Sequence, residues 1–320
     1  MNYSIVIPLF NESQNIEKLH KEISSVILKL SDRNRNFELI YINDGSTDDT
    51  LDMLLSLNYE KFEFKIINNK KNLSQSISLY TGINESKFDN LIFLDGDGQN
   101  DPYDIIDMIE KFEKGADLVH GYRKNRKDNF FSKTLPSLVA NYFVRLISKS
   151  KIIDHGCSLK VIKKKYLDQS KLWGDFHRLL AARLAHENIK IIQVETNHRP
   201  REYGKSNYGF LRIFKVLIDL IYMHLFQRSY NNFYLIGYLG LILSIFSLAS
   251  LLYMFKLKFF NNVSFIETPL PTVTALCAIA SLIFFSFMFI IQTILNMKNE
   301  LKKVEKEYEI LKNNNETKNY

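Results

Sequence analysis

Asp95 and Asp97 stand one glycine apart near the end of LIFLDGDGQNDP, residues 91–102. Carboxylates at that spacing are hard oxygen ligands that can close on one small divalent cation, and Gly96 and Gly98 let the backbone turn tightly around it. Mg2+ and Mn2+ seldom sit in all-protein cages; they share such carboxylates with the phosphates of a substrate. An Asp-x-Asp pair by itself more often marks a solvated loop. Here four apolar residues precede it and Pro102 follows. That context suits a buried strand delivering acids to the lip of a sheet, with a helix opening just beyond.

A strand of that kind needs a sheet to carry it. The first 120 residues alternate strand and helix patterns. They predict strands at about 3–8, 37–43, 62–67, 90–95 and 117–121, and helices at about 13–31, 48–57, 74–86 and 102–114. Near-continuous apolar strands alternating with helices argue an α/β fold with a mainly parallel sheet and helices on both faces. Ligands of such sheets bind beyond the carboxyl ends of the strands. Asn11-Glu12, Asp44-Gly45-Ser46, Asn72 and the Asp95 loop all follow strands, so all four are expected on one rim.

The remainder of the chain reads differently. Of 320 residues, 46% are hydrophobic and 24% charged, but residues 233–255 and 268–297 carry no charge at all. Each exceeds the roughly 20 residues that cross a bilayer, and a transmembrane hairpin is expected. Met1 leads directly into strand-like YSIVIP without a basic segment, so no signal peptide is expected. Arg228 precedes the first span and Lys298, Lys302, Lys303 and Lys306 follow the second, against Lys256 and Lys258 between them. That bias puts the N-terminal domain and both termini in the cytoplasm, on an inner or plasma membrane. The two cysteines, Cys157 and Cys277, are too differently placed to pair, which agrees with the cytosol.

The net charge of +7 is concentrated. Eight Lys or Arg lie between Arg123 and Lys151 against one acid, Asp128. Nucleic acid is one partner for such a stretch, but beside two spans an anionic membrane surface or a lipid phosphate is the better one. Residues 130–150 and 208–229 mix aromatic and aliphatic residues with Lys and Arg. They suit amphipathic helices in the membrane interface, or core helices. The tail carries Leu301, Val304, Tyr308 and Leu311, a heptad fragment too short to establish a coiled coil.

Taken together, IPLFNESQNI, YINDGSTDDT, the N-x-x-Q of Asn72 to Gln75 and LDGDGQNDP resemble the successive motifs of glycosyltransferase family 2. GYRKNRKD, DHGCSLK, GDFHR and HRPREYGKSNYG resemble its polyprenyl-phosphate glycosyltransferase branch. The resemblance runs from about residue 3 to residue 230. It implies a Rossmann-like GT-A-type domain over 1–207, an interfacial helix over 208–230, spans at 233–255 and 271–297, and a charged tail over 298–320. It also implies metal-dependent, inverting transfer of a sugar from a UDP- or GDP-linked donor to a polyprenyl phosphate at the cytoplasmic face, without nucleic acid and compatibly with a homo-oligomer. A processive polysaccharide synthase is the rival enzyme, but it carries Q-x-x-R-W, and the sole Trp173 lacks that motif. A membrane scaffold with a degenerate site is the rival from another class.

Residue by residue, the resemblance implies that Pro8, Asn11 and Glu12 line the nucleotide pocket. Asp44 would accept a hydrogen bond from the base while Gly45 and Ser46 shape the turn; helix capping is the plainer role for Asp44. Asn72, Gln75, Asp95 and Gly96 would contact the donor, and Asp95, Asp97 and Gln99 would hold Mg2+ or Mn2+. Where the family usually has N-x-G-Q, this chain has Ser74. A turn of different shape, or a helix cap at Ser74, is expected there. The ionised lipid phosphate needs positioning and charge balance, which Arg123, Arg126, Arg201, Lys205 and Ser206 would supply, Arg through its planar fork. Asp154 would orient the acceptor, complete the metal shell or act as a base. Asp175 and His177 are expected at sugar recognition. Cys157 reads as a buried small hydrophobe.

Overall fold

A computed structural model describes residues 1–31, 35–57, 62–124, 135–148, 150–167, 176–185, 189–203 and 234–316. The chain divides into two compact units, residues 1–221 and 222–320.

The first unit is built on β1 (Asn2–Leu9), α1 (Ser13–Ser31), β2 (Asn36–Asn43), α2 (Thr50–Ser56), β3 (Glu63–Asn68), α3 (Gln75–Glu85), β4 (Asn90–Phe93) and α4 (Asp104–Glu113). These elements lie within a few residues of where periodicity predicts them. They are followed by β5 (Leu118–Arg123), α5 (Leu135–Ser148), β6 (Lys160–Lys163), α6 (Phe176–Leu184) and β7 (Ile191–Thr196). The seven strands form one sheet in the order β3-β2-β1-β4-β6-β5-β7, and β6 alone among them runs antiparallel to its neighbours.

Strand period assigns the two faces. Tyr3, Ile5, Ile7 and Leu9 of β1 pack with α1 and α4 residues such as Ile16, Ile23, Ile105 and Phe112. Val6 points the other way, into a second core with Ile40, Ile42, Leu79 and Ile83 of β2 and α3 and Leu180 of α6. Each such fully buried aliphatic side chain contributes about 1.5–3 kcal/mol. The order reverses between β1 and β4, the switch point where open α/β sheets bind ligands. Because β6 runs backwards, the Asp154–Ser158 loop enters it from the rim where the parallel strands end. Because β7 is parallel to β5, its carboxyl end delivers residues 197–203 to that same rim.

Helix α5 buries Asn141, Val144 and Ser148 and exposes Leu138, Tyr142 and Leu146, one apolar stripe at four-residue spacing. The predicted helix over 208–230 lies outside the described residues.

In the second unit, α7 (Tyr234–Asn261) and α8 (Leu270–Glu316) are antiparallel, with Ser247 and Ser250 beside Thr274 and Gly240 beside Ser281. The Ser281 hydroxyl donates to the Gly240 carbonyl at 2.8 Å, and a Cβ at Gly237 would meet Met288 Sδ at 2.4 Å. Small residues therefore set the distance between these helices, as in membrane helix pairs. Tyr234–Asn261 and Leu270–Ile294 are long and apolar enough to cross a membrane, and α8 continues without a break into the charged tail.

Candidate active site at the switch point

The loop after β1 is stitched to the loop after β2. The Asn11 N–H donates to Ser46 Oγ at 2.9 Å, Glu12 N–H to Thr50 Oγ1 at 3.0 Å and Ser13 N–H to Asp48 Oδ2 at 3.2 Å. These bonds satisfy N–H groups at the start of α1 that no helical carbonyl can reach. Asn11 has φ 55° and accepts from Thr47 N–H at 2.8 Å; asparagine tolerates this left-handed conformation better than most residues. Pro8 closes β1 beyond the β4 ladder, whose last pair is Val6 with Phe93, so its missing N–H costs no bond to β4.

Asp44, buried at the end of β2, is spoken for by backbone. Its Oδ1 accepts from Leu73 N–H at 3.0 Å and Asn69 Nδ2 at 3.1 Å, and its Oδ2 accepts from Ser74 N–H at 3.0 Å. Ser74 has φ 106° and ψ 152°, a region essentially reserved for glycine, and its side chain makes no capping bond. The turn thus keeps a glycine-like shape with serine in it, contrary to the expectation of a reshaped or side-chain-capped turn. Asp44 takes up the two N–H groups that this shape points inward. Gly45 has φ 67°, and a Cβ there would lie 2.3 Å from the Lys71 carbonyl carbon. Asn72, next along, is exposed.

The acidic loop after β4 folds over the end of β1. A Cβ on Gly96 would meet Leu9 Cδ2 at 2.1 Å and the Pro8 carbonyl at 3.2 Å, so only glycine fits. Gln75 at the start of α3 donates from Nε2 to Asp95 Oδ1 at 2.6 Å. Asp97 Oδ1 accepts from Gln99 N–H at 3.1 Å, and the Gln99 side chain turns toward the Arg199 carbonyl at 3.5 Å. Burial, and then the charge of Asp95, push the Asp97 carboxyl up to about 6. Burial likewise pushes Glu12 up to about 7, with Arg201 pulling it back and Asp97 and Asp95 adding to the rise.

Arg201 sits among these acids. Its Nη2 donates to Glu12 Oε1, its Nε donates to the Tyr203 carbonyl at 2.9 Å, and its Nη1 lies 4.0 Å from Asp97 Oδ2. The segment that carries it is fastened at several points. His198 bridges Asn100, Arg199 N–H donates to the Gln99 carbonyl at 2.8 Å, and Lys18 meets Glu202 at 2.6 Å. The Arg199 guanidinium joins Glu22 of α1 at 2.8 Å and Asp101 before α4 at 2.8 Å. Sequence reasoning missed Arg199; the available signal was a second arginine two residues before Arg201 with acids waiting on α1 and the β4 loop.

A second polar cluster lies beneath the Asp154 loop. Arg123 grips Asp154 through Nε at 2.7 Å and Nη2 at 3.0 Å, and its backbone N–H also donates to Oδ2 at 3.3 Å. Lys160, buried on β6, donates to the Cys157 carbonyl at 2.5 Å; burial lowers its ammonium to about 8. Cys157 is fully buried, which pushes its thiol up. His155 is also buried, neither ring nitrogen has a partner among the described residues, and burial depresses it to about 4. His177 is buried on α6, with Nδ1 2.9 Å from Ser76 Oγ of α3. Arg126, Asp175, Lys205 and Ser206 lie outside the described residues.

Asp95 and Asp97 offer hard oxygen donors on one loop, and the raised Asp97 carboxyl marks negative charge crowded in a buried place. That donor set fits Mg2+ or Mn2+ held jointly with a diphosphate. Among the described residues no three His, Cys, Asp or Glu side chains form a group that could hold a metal unaided.

The model of the glycosyl transferase family 2 domain matches residues 4–171. The chain is 35% identical over 259 residues to a dodecaprenyl-phosphate galacturonate synthase of Rhizobium johnstonii, spanning 79% of this chain and 76% of that one. It is 31% identical over 222 residues to an undecaprenyl-phosphate 4-deoxy-4-formamido-L-arabinose transferase of Proteus mirabilis, spanning 68% and 66%. Among solved structures it resembles the mannosyltransferase PcManGT of Pyrobaculum calidifontis in complex with GDP-Man and Mn2+, at TM-score 0.47 and 16% identity over 88% of this chain and 86% of that one.

Proposed function

Because the chain belongs to glycosyl transferase family 2, we propose that it transfers one sugar from a nucleotide-diphosphate donor to a polyprenyl phosphate. The convergence of Glu12, Asp97 and Arg201 where β1 and β4 end carries this reading. It combines acids suited to a cation-bound diphosphate with a guanidinium suited to a second anion. The relatives named for dodecaprenyl and undecaprenyl phosphate supply the acceptor class.

In this reading Pro8, Asn11, Glu12, Asp44, Gly45, Ser46, Asn72, Gln75 and Gly96 shape the donor side, Asp44 by holding the Leu73–Ser74 turn. Asp95 and Asp97, with Gln99 beside them, hold Mg2+ or Mn2+, whose charge would weaken the bond to the leaving diphosphate. Arg201 meets the lipid phosphate, joined by Arg126, Lys205 and Ser206. Arg123 contributes by fixing Asp154, which orients the acceptor loop, and His177 and Asp175 recognise the sugar.

An oxygen of the lipid phosphate attacks the anomeric carbon, the carbon–oxygen bond to the diphosphate breaks, and the electron pair leaves with the nucleotide. One in-line displacement inverts the anomeric centre. The acceptor oxygen is already ionised near neutral pH, so the step needs charge balance and alignment more than a general base. The apolar helices α7 and α8 and the stripe Leu138, Tyr142 and Leu146 keep the enzyme at the bilayer, with its catalytic domain and both termini cytoplasmic.

The test is to incubate membranes containing the protein with a panel of UDP- and GDP-sugars and undecaprenyl phosphate, then identify the lipid by mass spectrometry. One donor should yield a lipid heavier by a single sugar; absence of any sugar-bearing lipid with every donor would refute the reading.

A further inference from the structure

We infer that Arg199 is a positioning residue of the acceptor site: it seats the strap, residues 197–203, that carries Arg201 on the rim. The inference rests on the reading of Arg201 as the group that meets the lipid phosphate. Among the described residues, the backbone pairing of this strap is one isolated bridge, His198 with Asn100, with the Arg199 N–H donating to the Gln99 carbonyl at 2.8 Å. So little backbone pairing leaves the seating of the strap to its side chains. Arg201 itself must stay available to an anion, so the anchor has to lie elsewhere.

Arg199 supplies it. Its Nη1 donates to both carboxylate oxygens of Glu22 on α1, at 2.9 and 2.8 Å, and its Nη2 lies 2.8 Å from Asp101 Oδ1, just ahead of α4. One guanidinium thus spans two helical elements that share a core. The three side chains are between 18% and 26% exposed, so solvent screens these pairs less than surface ones. The other ion pair that holds the strap to α1, Lys18 with Glu202, is exposed and contributes little. Asn197 bonds Asp104 at 2.7 and 2.9 Å, but it fixes the root of the strap rather than the part that bears Arg201. Pro200 stands between the two arginines. Its ring fixes its own φ and disfavours helical backbone at Arg199, so the placement of Arg199 carries over to Arg201. A strap seated only about a tenth of the time would weaken apparent acceptor affinity tenfold without altering any contact to the lipid. The metal loop has separate supports: Gln75 holds Asp95, the Gln99 N–H holds Asp97, and Gly96 lies against Leu9 and Pro8.

The experiment compares purified full-length Arg199→Ala, Arg199→Lys, Glu22→Ala, the double alanine variant and Arg201→Ala, with circular dichroism to verify folding. Lys163→Ala is the control, since Lys163 pairs with Asp117 at 2.6 Å beside the start of β4, on the opposite rim. Three quantities are measured: KM and kcat for a short-chain polyprenyl phosphate, affinity for the nucleoside diphosphate of the active donor with Mg2+, and hydrogen exchange of the strap amides. Arg199→Ala should raise acceptor KM by about tenfold and leave kcat within about threefold, because saturating acceptor draws the strap back onto the rim. The strap amides should exchange faster in that variant and recover when lipid phosphate is added. Nucleotide affinity should stay within about threefold, the effect of a remote contact. Arg199→Lys, which meets only one acid at a time, should fall between and serves if the alanine variant does not fold. Glu22→Ala should raise KM less and add little in the Arg199→Ala background, the signature of residues acting as one unit. An unchanged KM in Arg199→Ala, an equal rise in Lys163→Ala, additive rises in the double variant, or an equal loss of nucleotide affinity would each overturn the positioning role. A raised KM in Arg201→Ala would in those cases still leave Arg201 as the acceptor grip. Should Arg201→Ala spare acceptor KM, both the role of Arg201 and the inference built on it are overturned.

Discussion

Asp44 and Ser74, thirty residues apart, are joined between the end of β2 and the start of α3: Asp44 Oδ2 accepts the Ser74 N–H at 3.0 Å, and Ser74 carries φ 106°. Serine in that region stores about 1–3 kcal/mol, and the carboxylate offsets it by satisfying Ser74 and Leu73 together.

Ser74→Gly should therefore stabilise the protein. Relief of strain exceeds the 0.5–1 kcal/mol or so that glycine costs through the unfolded chain. Denaturant unfolding of the first unit should shift to a higher midpoint, a gain of about 1 kcal/mol in unfolding free energy. Ser74→Gly should also recover part of the stability lost in Asp44→Ala. An unchanged or lower midpoint for Ser74→Gly would show that the turn carries no strain.

His155 gives the acid limb of stability. It is buried without a ring partner among the described residues and depressed from 6.5 to about 4. A depressed base contributes stability above its unfolded value that is lost as pH falls through the folded value. The loss should run from about pH 6.5 down to pH 4 and amount to roughly 3 kcal/mol. His155→Phe sacrifices no hydrogen bond that the structure records, so its stability should decline less over that window. Parallel curves for the two proteins would count against a neutral buried ring.

Asp95→Asn and Asp97→Asn should each remove nearly all turnover with the fold intact, because an amide is a weak ligand for a hard cation. In the first variant Gln75 can still donate to the carbonyl oxygen of the introduced amide, so the loss reports charge rather than a broken loop. Either variant turning over near the wild-type rate at ordinary Mg2+ or Mn2+ would remove the metal assignment.

Orientation is testable from two surface positions in a background with Cys157 and Cys277 replaced. Asn261→Cys, at the exposed end of α7, should react with an impermeant thiol reagent on intact cells. Lys21→Cys, exposed on α1, should react only after permeabilisation. The reverse pattern would place the catalytic domain away from cytosolic nucleotide sugars.

Periodicity made β1 to β5 and α1 to α4 legible, because buried strands such as YSIVIPL and the 3-4 spacing of Ile16, Leu19, Ile23 and Val26 leave few alternatives. Strand β6 was not legible. KVIK is short and lysine-rich, and Lys160 is buried only because it meets the Cys157 carbonyl and lies near acids from other segments. The strap over the rim was equally hidden. Arg201 is far along the chain from the β1 and β4 loops, and only the parallel pairing of β7 with β5 returns it to Glu12 and Asp97. Ser74 was legible as an anomaly, but its resolution lies in Asp44, a contact that no local pattern encodes.

The most direct measurement is the structure of the lipid product made by purified enzyme, Mg2+, undecaprenyl phosphate and the active donor. Mass spectrometry with 31P NMR should find one sugar per lipid, joined through a single phosphodiester, with the anomeric configuration opposite to that of the donor. Asp97→Asn and Arg201→Ala enzyme should yield little of it. A ladder of sugars on one lipid, a retained anomeric configuration or free sugar with no lipid product would contradict the account.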